Sequence, residues 1–365
     1  MKALVLQDKH RAAEVLEVPV PVAGPGEAVV RVHAAALNHR DVWIQKGQYA
    51  GLKYPIVPGS DGAGVVVGSA GLGGGAGAGG GSGVGGGAGA GGGSGVGGAA
   101  GDAGGWVGKS VIINPALEWG ASAAYQDPEL FRILGLPDDG TLAEFVKVPV
   151  RNLVEKPKHL SFEEAAALPL AGVTAYRALM TRARLRPGEK VLITGVGGGV
   201  ALFALQFAVA AGAEVLITSG SVEKLDKAMA MGAMDGANYR EGGWVEKLKS
   251  LAGAFEVIID GSAGDGLNDL LDLAAPGGRV VLYGATRGNP AQVAARRIFW
   301  KQLNILGSTM GSPEDFGGML DFVGRHKIRP VVDRVFGLEQ GEAAFRWMDE
   351  GKQFGKIVVK TSASR

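Results

Sequence analysis

The sequence of 365 residues predicts an α/β protein that combines a doubly wound parallel sheet with a second, β-rich domain. Two observations carry this prediction. From Lys190 onward, apolar β-prone runs alternate with helical patterns at the spacing of parallel βαβ units. Residues 1–67 contain short strands and turns, with strand candidates at Lys2–Leu6 and Ala28–Ala34 and chain breakers at Pro21–Gly26 between them.

Composition excludes several classes of protein. Lys and Arg number 37 against 36 Asp and Glu, so no net charge attracts the chain to nucleic acid or to an anionic membrane. The absence of cysteine excludes disulfides, a thiol nucleophile, iron–sulfur clusters and thiolate zinc sites. No apolar run reaches the roughly 18 residues of a spanning helix, and no signal peptide opens the chain. We therefore expect a soluble protein, with the cytoplasm as its location.

Residues 68–105 form a glycine-rich segment that interrupts two strand-like runs, Gly64–Val67 and Ser110–Ile113. It contains the repeat GAGAGGGSGVGG at Gly75–Gly86 and again at Gly87–Gly98. Such a composition offers almost no side chain to bury and has high backbone entropy, which favours a mobile surface insertion or a sequence expansion. A binding loop or a glycine-rich structural array is the alternative.

The remaining elements follow in order. Trp119–Asp139 is expected to be an irregular lobe, and Leu142–Val148 a strand. Ser161 to Glu164 is a capping box that opens a helix through Leu168, and a helical pattern resumes over Val173–Ala183. The strands predicted for the parallel sheet are Lys190–Thr194, Glu214–Thr218, Ala237–Tyr239, Phe255–Asp260, Arg279–Tyr283 and Leu303–Ser308. The helices predicted between them are Val200–Ala211, Val222–Met231, Trp244–Leu251 and Leu267–Ala274.

After the sixth of these strands, the spacing of predicted strands and helices changes. A helix over Glu314–Lys327, a strand over Val331–Phe336, a helix over Glu339–Asp349 and a strand over Lys356–Val359 are predicted there. We assign this stretch to a return of the chain into the first domain.

The sharpest motif is a glycine-rich turn that follows the first predicted parallel strand. The sequence reads V-L-I-T-G-V-G-G-G-V-A over residues 191–201. Glycines allow a tight turn and a close approach to a pyrophosphate, and the following helix presents free N–H groups to that anion. Strict G-x-G-x-x-G is not met, but G-x-x-G-x-x-A fits at Gly195, Gly198 and Ala201. With a strand before it and a helix after it, this turn indicates dinucleotide binding rather than a merely structural turn.

The end of the second parallel strand distinguishes NADP from NAD. NAD sites usually place an acidic residue there to hold the ribose 2′-hydroxyl. This strand ends in T-S-G-S at residues 218–221 without an acid, and Glu223 falls inside the next helix. The hydroxyls of Ser219 and Ser221 and the ammonium of Lys224 are candidates for holding a 2′-phosphate. Helix capping by the serines and a solvated Lys224 are the structural alternative, and the two readings are compatible.

Taken together, these motifs resemble the medium-chain dehydrogenase/reductase superfamily, in its zinc-free quinone-oxidoreductase-like and zinc-type alcohol dehydrogenase-like branch. Besides the glycine turn, the resemblance rests on A-A-L-N-H-R-D at 35–41, P-G-S-D-G-A-G at 58–64, L-A-G-V-T-A-Y at 170–176, N-Y-R at 238–240 and G-K-I-V at 355–358. It implies a GroES-like substrate domain over 1–153, a Rossmann NADP-binding domain over 154–312 and a C-terminal return over 313–365. It also implies a homodimer, often formed through the edge strand Leu303–Ser308.

The resemblance further implies which residues contact the cofactor, NADPH. Most of them lie at the carboxyl ends of the parallel strands, where open α/β sheets bind ligands. They are Thr174, Gly195, Gly198, Gly199, Val200, Ser219, Ser221, Lys224, Tyr239, Gly261, Ser262, Gly284, Thr286, Ser308, Thr309 and Met310. Lys356 either approaches the cofactor cleft or is a solvated lysine.

The residues that would hold zinc in related enzymes are replaced. Matching the motifs places Asn38, Ser60 and Leu170 where zinc-dependent relatives have their ligands, and these side chains do not make a zinc site. Arg40 and Trp43 stand where the proton relay would be, and the lobe Trp119–Asp139 lacks the cysteines of a structural zinc site. His33 and His39 are expected to be surface or packing histidines. The sequence therefore predicts no metal.

Without a metal to polarise an alcohol, the expected reaction is hydride transfer from NADPH to an electrophilic acceptor, either a quinone or an α,β-unsaturated carbonyl. Asn38 is the candidate hydrogen-bond donor to the developing oxyanion. Tyr49 is a candidate for donating to a carbonyl or supplying a proton. Asp41 is a candidate for a direct role, and a structural carboxylate is its alternative. The alternatives are an alcohol or aldehyde dehydrogenase of the same superfamily and a non-catalytic NADPH-binding protein.

Overall fold

The computed structural model describes residues 1–70 and 103–361. Its strands are β1 (Lys2–Val5), β2 (Glu14–Glu17), β3 (Glu27–Ala36), β4 (Asp61–Ser69), β5 (Ser110–Ile113), β6 (Ala116–Leu117), β7 (Arg132–Ile133), β8 (Phe145–Pro149), β9 (Leu153–Glu155), β10 (Lys190–Ile193), β11 (Glu214–Ser219), β12 (Asp235–Asn238), β13 (Phe255–Asp260), β14 (Ala274–Leu282), β15 (Asn304–Gly307), β16 (Val332–Gly337) and β17 (Lys356–Lys360).

The helices connect and cover these strands. They are α1 (His39–Gln45), α2 (Phe162–Ala167), α3 (Pro169–Tyr176), α4 (Gly199–Ala210), α5 (Val222–Met229), α6 (Trp244–Ala252), α7 (Leu267–Leu273), α8 (Ala295–Lys301), α9 (Pro313–His326) and α10 (Gly341–Asp349). A π-helical turn, Arg177–Arg182, continues α3.

A six-stranded parallel sheet forms the predicted doubly wound domain. Its strand order is β12-β11-β10-β13-β14-β15, so the order reverses between β10 and β13. The central strands are apolar on both faces because helices cover both sides, and Val191, Leu192 and Ile193 are completely buried. The reversal point places the glycine turn after β10 at the carboxyl edge of the sheet, where such folds bind their ligands.

The second domain is a mainly antiparallel sheet with the order β16-β17-β3-β4-β5-β9, in which β8 also pairs with β3. The C-terminal strands β16 and β17 belong to this sheet, and β17 pairs with β3 in antiparallel register. The end of the chain therefore lies beside the N-terminal strands. This topology positions Lys356, the first residue of β17, between the two domains. The structure is the predicted Rossmann sheet plus GroES-like β-rich domain.

Several predicted elements differ from the observed ones. The sequence analysis did not anticipate β2, α1 or α8. Helix α3 begins at Pro169, where a break was expected, because proline is well tolerated in the first turn of a helix. The glycine-rich insertion proposed for 68–105 falls, over residues 71–102, outside the described part of the chain. Within residues 1–70 and 103–361, no helix is long and apolar enough to cross a bilayer.

Candidate active site

The glycine turn after β10 leads directly into the N-terminus of α4. Gly197 has φ +124°, and a Cβ atom there would lie 2.8 Å from Cδ of Lys224. A Cβ atom on Gly199 would lie 2.7 Å from Cδ of Lys356. The free N–H groups at the start of this 12-residue helix are thus flanked by two lysine side chains. Such a cradle suits the pyrophosphate of a dinucleotide, as predicted for Gly195, Gly198, Gly199 and Val200.

The end of β11 departs in part from the sequence-based expectation. Ser221 is the N-cap of α5, and its Oγ accepts a hydrogen bond from the Lys224 backbone N–H at 3.4 Å. Ser219 is buried and donates its hydroxyl to the Val196 carbonyl at 3.1 Å. That hydrogen is therefore not available to a 2′-phosphate, contrary to the prediction. Lys224 is half-buried rather than solvated, and its Nζ donates to the Gly351 carbonyl at 2.8 Å.

Two arginines supplement this end of the cleft, and the sequence analysis did not single them out as ligands. A Cβ atom on Gly220 would lie 2.7 Å from Nε of Arg240 and 2.8 Å from Oη of Tyr239, so both side chains close over the tip of β11. The guanidinium of Arg287 lies 5.3 Å from the centre of the Tyr239 ring. The signal for Arg240 was its position beside Tyr239 in the N-Y-R motif. Arg287 had no comparable signal.

The loops after β13 and β14 pack against each other. The Tyr283 ring covers Gly261, where a Cβ atom would lie 2.5 Å from it, and a Cβ on Gly284 would meet the Gly261 carbonyl at 2.9 Å. Burial raises the pKa of Tyr283 far above its usual range. Ser262 donates its hydroxyl to the Asp260 carboxylate at 2.6 Å and so supports the loop rather than presenting a free donor.

The remaining predicted cofactor residues have different surroundings. Thr174 is buried and donates its hydroxyl to the Leu170 carbonyl at 2.7 Å, while Thr286 and Thr309 are exposed. Ser308, just after β15, has a buried Oγ without a hydrogen-bond partner. An orphaned hydroxyl at the carboxyl edge of the sheet is a suitable partner for a bound polar group. Met310, with φ +45°, packs in an apolar cluster with Ala116, Trp119, Phe131, Ile133 and Leu170.

Across the cleft, a buried polar network surrounds Asn38. The Lys356 ammonium donates to Asn38 Oδ1 at 2.6 Å and to Asp61 Oδ2 at 2.9 Å, and Asn38 Nδ2 donates to the same carboxylate oxygen at 3.0 Å. The second oxygen of Asp61 accepts from the Leu170 backbone N–H at 2.8 Å. Asp61 is completely buried and Lys356 is 3% exposed. Lys356 is therefore not a solvated lysine.

This network fixes the orientation of the Asn38 amide. An ammonium group can only donate hydrogen bonds and an ionised carboxylate can only accept them. The amide oxygen must therefore face Lys356 and the amide nitrogen must face Asp61. One hydrogen of the nitrogen is taken by Asp61, which leaves the other for a further acceptor. The structure thus brings together Asn38 with two residues, Asp61 and Lys356, that the sequence analysis quoted in motifs but did not assign to the site.

Asp41 is buried, which favours the structural role over the catalytic one of the two that the sequence analysis considered. Its carboxylate is completely buried and accepts from the backbone N–H groups of Asn38 at 2.8 Å and Gly59 at 3.2 Å. Burial raises the pKa of Asp41, and the nearby Arg40 charge and the Asn38 N–H act in the opposite direction. Asp41 holds the start of α1 against the loop before β4, so its function is structural.

Arg40 occupies the space beside Ser60. Its guanidinium donates to Ser60 Oγ at 2.7 Å and to the Leu134 carbonyl at 2.9 Å, and it contacts the Tyr49 hydroxyl at 3.4 Å. Arg40 is 6% exposed, whereas Tyr49 is partly exposed. Tyr49 is therefore the only one of the three predicted catalytic residues, Asn38, Asp41 and Tyr49, that is not buried.

The residues in the place of the family's zinc ligands do not fit a zinc ion. The oxygen of Asn38 is taken by Lys356, the oxygen of Ser60 is taken by Arg40, and Leu170 has no donor atom. Two buried cations adjoin the position, and they would repel a divalent cation. Among the described residues, no group of three or more His, Asp or Glu side chains is arranged to hold a metal.

The two histidines of this region differ in their surroundings. The His33 ring is partly buried and stacks on Phe162 with a centroid distance of 4.4 Å, and this burial, assisted by nearby Arg31, lowers its pKa. His39 is exposed, with its ring 6.1 Å from the Trp43 ring. Neither histidine belongs to the polar network around Asn38.

Comparison with known families and structures agrees with this architecture. Residues 24–81 match the model of the alcohol dehydrogenase GroES-like domain, and residues 199–325 match the model of the zinc-binding dehydrogenases. A zinc-type alcohol dehydrogenase-like protein of Leptosphaeria maculans is 34% identical over 93% of this chain and 92% of its own length. The acryloyl-coenzyme A reductase of Metallosphaera sedula is 30% identical over 99% and 100%.

Two solved structures are similar over nearly the whole chain. An NAD-dependent alcohol dehydrogenase superposes with a TM-score of 0.85 at 35% identity, covering 99% of this chain and all of the other. The quinone oxidoreductase of Thermus thermophilus, also determined with NADPH, superposes with a TM-score of 0.74 at 31% identity and the same coverage. The chain belongs to the medium-chain dehydrogenase/reductase superfamily, in the branch of zinc-type alcohol dehydrogenase-like proteins and quinone oxidoreductases, and it is an oxidoreductase of that superfamily.

Proposed function

We propose that this protein is a zinc-independent, NADPH-dependent reductase of a quinone or an α,β-unsaturated carbonyl compound. One observation carries the proposal: a closed hydrogen-bond network of Lys356 and Asp61 engages Asn38, which stands at one of the positions where the family resemblance implies a zinc ligand. The network leaves an amide hydrogen of Asn38 as a donor toward the cleft. A conjugated acceptor needs such a donor more than it needs a Lewis acid, because its own π-system spreads the developing charge.

This geometry suggests a separate role for each residue of the site. A bound NADPH would supply the hydride. Asn38 donates to the carbonyl oxygen of the acceptor as negative charge develops there. Lys356 and Asp61 keep the amide from turning over, and the buried positive charge of Lys356 adds a favourable field at the oxyanion. The apolar cluster of Trp119, Phe131 and Met310 next to Leu170 would line the acceptor side and exclude water.

The preference for NADPH rests on positive charge at the tip of β11. Lys224 and Arg240 border Gly197 and Gly220, and Tyr239 closes over the same glycine. A guanidinium and an ammonium are the usual partners of a ribose 2′-phosphate, and no carboxylate stands at this tip to bind a 2′-hydroxyl. The exchange of Lys224 from the Gly351 carbonyl to a phosphate would replace a hydrogen bond to a neutral acceptor by an ion pair.

The similar proteins differ in which of the two candidate functions their activities support. An acryloyl-coenzyme A reductase acts on a conjugated thioester and a quinone oxidoreductase on a quinone, which supports the proposal. The NAD-dependent alcohol dehydrogenase favours the second candidate, an alcohol or aldehyde dehydrogenase. That activity would have to proceed at Asn38 and Lys356 without the usual metal ligands.

Steady-state oxidation of NADPH and of NADH by the purified full-length chain tests the proposal. Separate panels of quinones, enones and aldehydes serve as acceptors, each with and without a strong chelator, and the zinc content of the same preparation is measured. We expect turnover with quinones or enones, a preference for NADPH, no loss with chelator and zinc far below one ion per chain. Stoichiometric zinc with chelator-sensitive aldehyde turnover supports the alcohol dehydrogenase, and NADPH binding without any turnover supports a non-catalytic protein.

A further inference from the structure

Arg40 is a buried cation that forms no direct ion pair among the described residues, although its charge acts on the neighbouring Asp41 carboxyl. It is 6% exposed, and within residues 1–70 and 103–361 no Asp or Glu oxygen lies within the 4.0 Å of an ion pair with it. Its hydrogen bonds go to Ser60 Oγ at 2.7 Å, to the Leu134 carbonyl at 2.9 Å and, at longer range, to the Leu136 carbonyl at 3.5 Å. Burying an unpaired charge is costly, so this guanidinium calls for a functional reason.

The remaining contact of Arg40 is with Tyr49. Nε of Arg40 lies 3.4 Å from Tyr49 Oη, and the guanidinium carbon lies 5.0 Å from the centre of the Tyr49 ring. The distance is long for a hydrogen bond, as is common for catalytic contacts before a substrate is bound. The position of Tyr49, four residues after the end of α1 at Gln45, lets Arg40 in the first turn of that helix reach it.

The direction of this contact has one chemical consequence. A guanidinium has only donors and cannot be deprotonated in a protein, so the phenolic oxygen must accept from it. The hydrogen of the Tyr49 hydroxyl must then point away from Arg40. No described residue accepts that hydrogen in a hydrogen bond, and the side chain is partly exposed. The phenolic proton is therefore left for an acceptor other than the described residues.

We propose that Arg40 is a positioning residue that makes Tyr49 the proton donor of the reaction. The inference rests on the proposed function. Hydride adds to the β-carbon of an enone and carries the electron pair of the new C–H bond. The O–H bond of Tyr49 breaks, its proton forms a bond to the α-carbon or the carbonyl oxygen, and water reprotonates the phenolate. The positive charge of Arg40 stabilises the phenolate during this step.

The first test reports the hydrogen bond without any substrate. Ultraviolet resonance Raman spectra of tyrosine contain a doublet whose intensity ratio distinguishes a phenol that accepts from one that donates. The difference between wild type and Tyr49→Phe isolates the signal of Tyr49, and the difference between Arg40→Met and Arg40→Met/Tyr49→Phe isolates it without the guanidinium. We expect an accepting phenol only when Arg40 is present. An identical Tyr49 signal in both differences would overturn the inference even if the protein reduces enones well.

The second test is a double-mutant cycle on kcat with an enone and with a quinone. General acid catalysis typically contributes about 10²–10⁴-fold. With the enone we expect Tyr49→Phe to lower kcat by about 100-fold, Arg40→Met by about tenfold or more, and the double variant no further than Tyr49→Phe. The quinone should respond much less to all three variants, because a hydroquinone anion leaves without prior protonation. Losses that multiply in the double variant, or that are equal for both acceptors, would contradict the inference.

Two further variants guard against a purely structural explanation. Arg40→Lys keeps a buried charge and a hydrogen-bond donor, so its kcat with the enone should be higher than that of Arg40→Met. If Arg40→Met folds poorly, Arg40→Lys still tests the role of the Arg40 side chain. Tyr54→Phe is the matched control, because the Tyr54 hydroxyl donates to the Ile44 carbonyl of α1 and makes no hydrogen bond with Arg40. Turnover of neither acceptor by the wild type would reject the proposed function, while the Raman result would still decide whether Arg40 orients Tyr49.

Discussion

At the scale of single residues, Asn38 is informative because it forgoes its local role. It is the N-cap of α1, where asparagine normally accepts a hydrogen bond from the first turn, yet its side chain makes no capping bond. The side chain turns instead to Lys356 and Asp61. The loss of an N-cap hydrogen bond typically costs about 1 kcal/mol of stability. The hydrogen bonds of Asn38 to Lys356 and Asp61 must therefore stabilise the fold by more than this amount.

This conflict yields a prediction that separates activity from stability. Asn38→Ser should cap α1 and so offset part of the stability lost with the network, which predicts only a small decrease in melting temperature. It should lower kcat/KM by about 100-fold, the usual effect of removing one oxyanion donor. Thermal unfolding and steady-state kinetics on the same preparation provide the measurement. An unchanged kcat/KM would show that the Asn38 amide does not act on the acceptor.

Lys224 gives a pH-dependent prediction. Burial lowers the pKa of Lys224, and the carboxylates of Asp333 and Glu223 oppose the effect only in part. An ammonium attracts a 2′-phosphate only while it is protonated, so a lowered pKa means that this attraction is lost at a lower pH than for a free lysine. The preference for NADPH over NADH, measured as a ratio of dissociation constants, should be complete near neutral pH and decline as the pH becomes alkaline.

The matched variants for this prediction lie on the same helix. Lys224→Met should reduce the NADPH preference at neutral pH and leave a smaller dependence on pH. Lys227→Met should preserve both, because Lys227 is exposed and pairs with Glu223 at 2.6 Å. A wild-type ratio that does not change between neutral and alkaline pH would mean that Arg240 alone, whose charge does not titrate there, selects the phosphate.

At the scale of elements, α9, the π-helical turn Arg177–Arg182 and the lobe after β6 meet at a buried ion pair. Arg177 and Asp315 are 3% and 5% exposed and hydrogen-bond to each other. Arg177 also donates to the Ala124 carbonyl at 2.7 Å, and Asp315 accepts from Thr181 Oγ1 at 2.5 Å. The pair therefore holds the lobe that carries Trp119 against the Rossmann domain.

Removing one member should be strongly destabilising. Asp315→Asn leaves a buried guanidinium without its carboxylate, and breaking such a pair typically costs about 3–5 kcal/mol. We expect a melting temperature lower by several degrees, measured calorimetrically at constant protein concentration. Asp321→Asn, on the exposed side of α9, should shift it little. Equal shifts for the two variants would show that Arg177 finds sufficient partners in the backbone carbonyls.

The same scale shows what the sequence could predict. The parallel strands were predicted within about two residues, apart from β14, which begins five residues earlier than predicted. The prediction succeeded because a short apolar run between two helical patterns indicates a buried strand. Helix α1 was missed because its seven residues are too few to show a helical period. For Asp41 both a structural and a catalytic role stayed open, because sequence spacing cannot tell a carboxylate bound to backbone N–H groups from one facing a cleft. Lys356 and Asp61 lie 295 residues apart, and only the return of the chain brings them together.

At the scale of the whole molecule, the C-terminal return joins the two domains across the nucleotide cleft. Gly355 N–H donates to the Gly197 carbonyl at 3.0 Å, Lys224 reaches the Gly351 carbonyl, and Lys356 extends to Asn38. One short segment thus contacts the phosphate-binding turn and the oxyanion donor together.

The open edge of the parallel sheet carries the last prediction. β15 pairs with β14 on one side, and within the described residues no strand pairs with its other side. Beside this edge, Phe299 and Trp300 on α8 are 66% and 76% exposed, and Ile305 on β15 is 37% exposed. An unpaired edge strand flanked by large apolar side chains invites pairing with a second copy. A two-fold axis beside β15 would join two sheets in antiparallel register and cover both aromatic rings.

We therefore expect sedimentation equilibrium to give about twice the 37.3 kDa of one chain. Trp300→Glu together with Ile305→Lys should shift the mass to that of a monomer, because a stable interface buries more than roughly 1,000 Å² and tolerates no unpaired charge at its centre. Leu130→Lys, at an exposed apolar residue outside the parallel sheet, should leave the dimer intact. The dimer-breaking variant should retain the preference for NADPH over NADH, since Lys224 on α5 and Arg240 after β12 are remote from Trp300 and Ile305 along the sheet. A monomeric wild type would mean that another partner or solvent alone covers this edge.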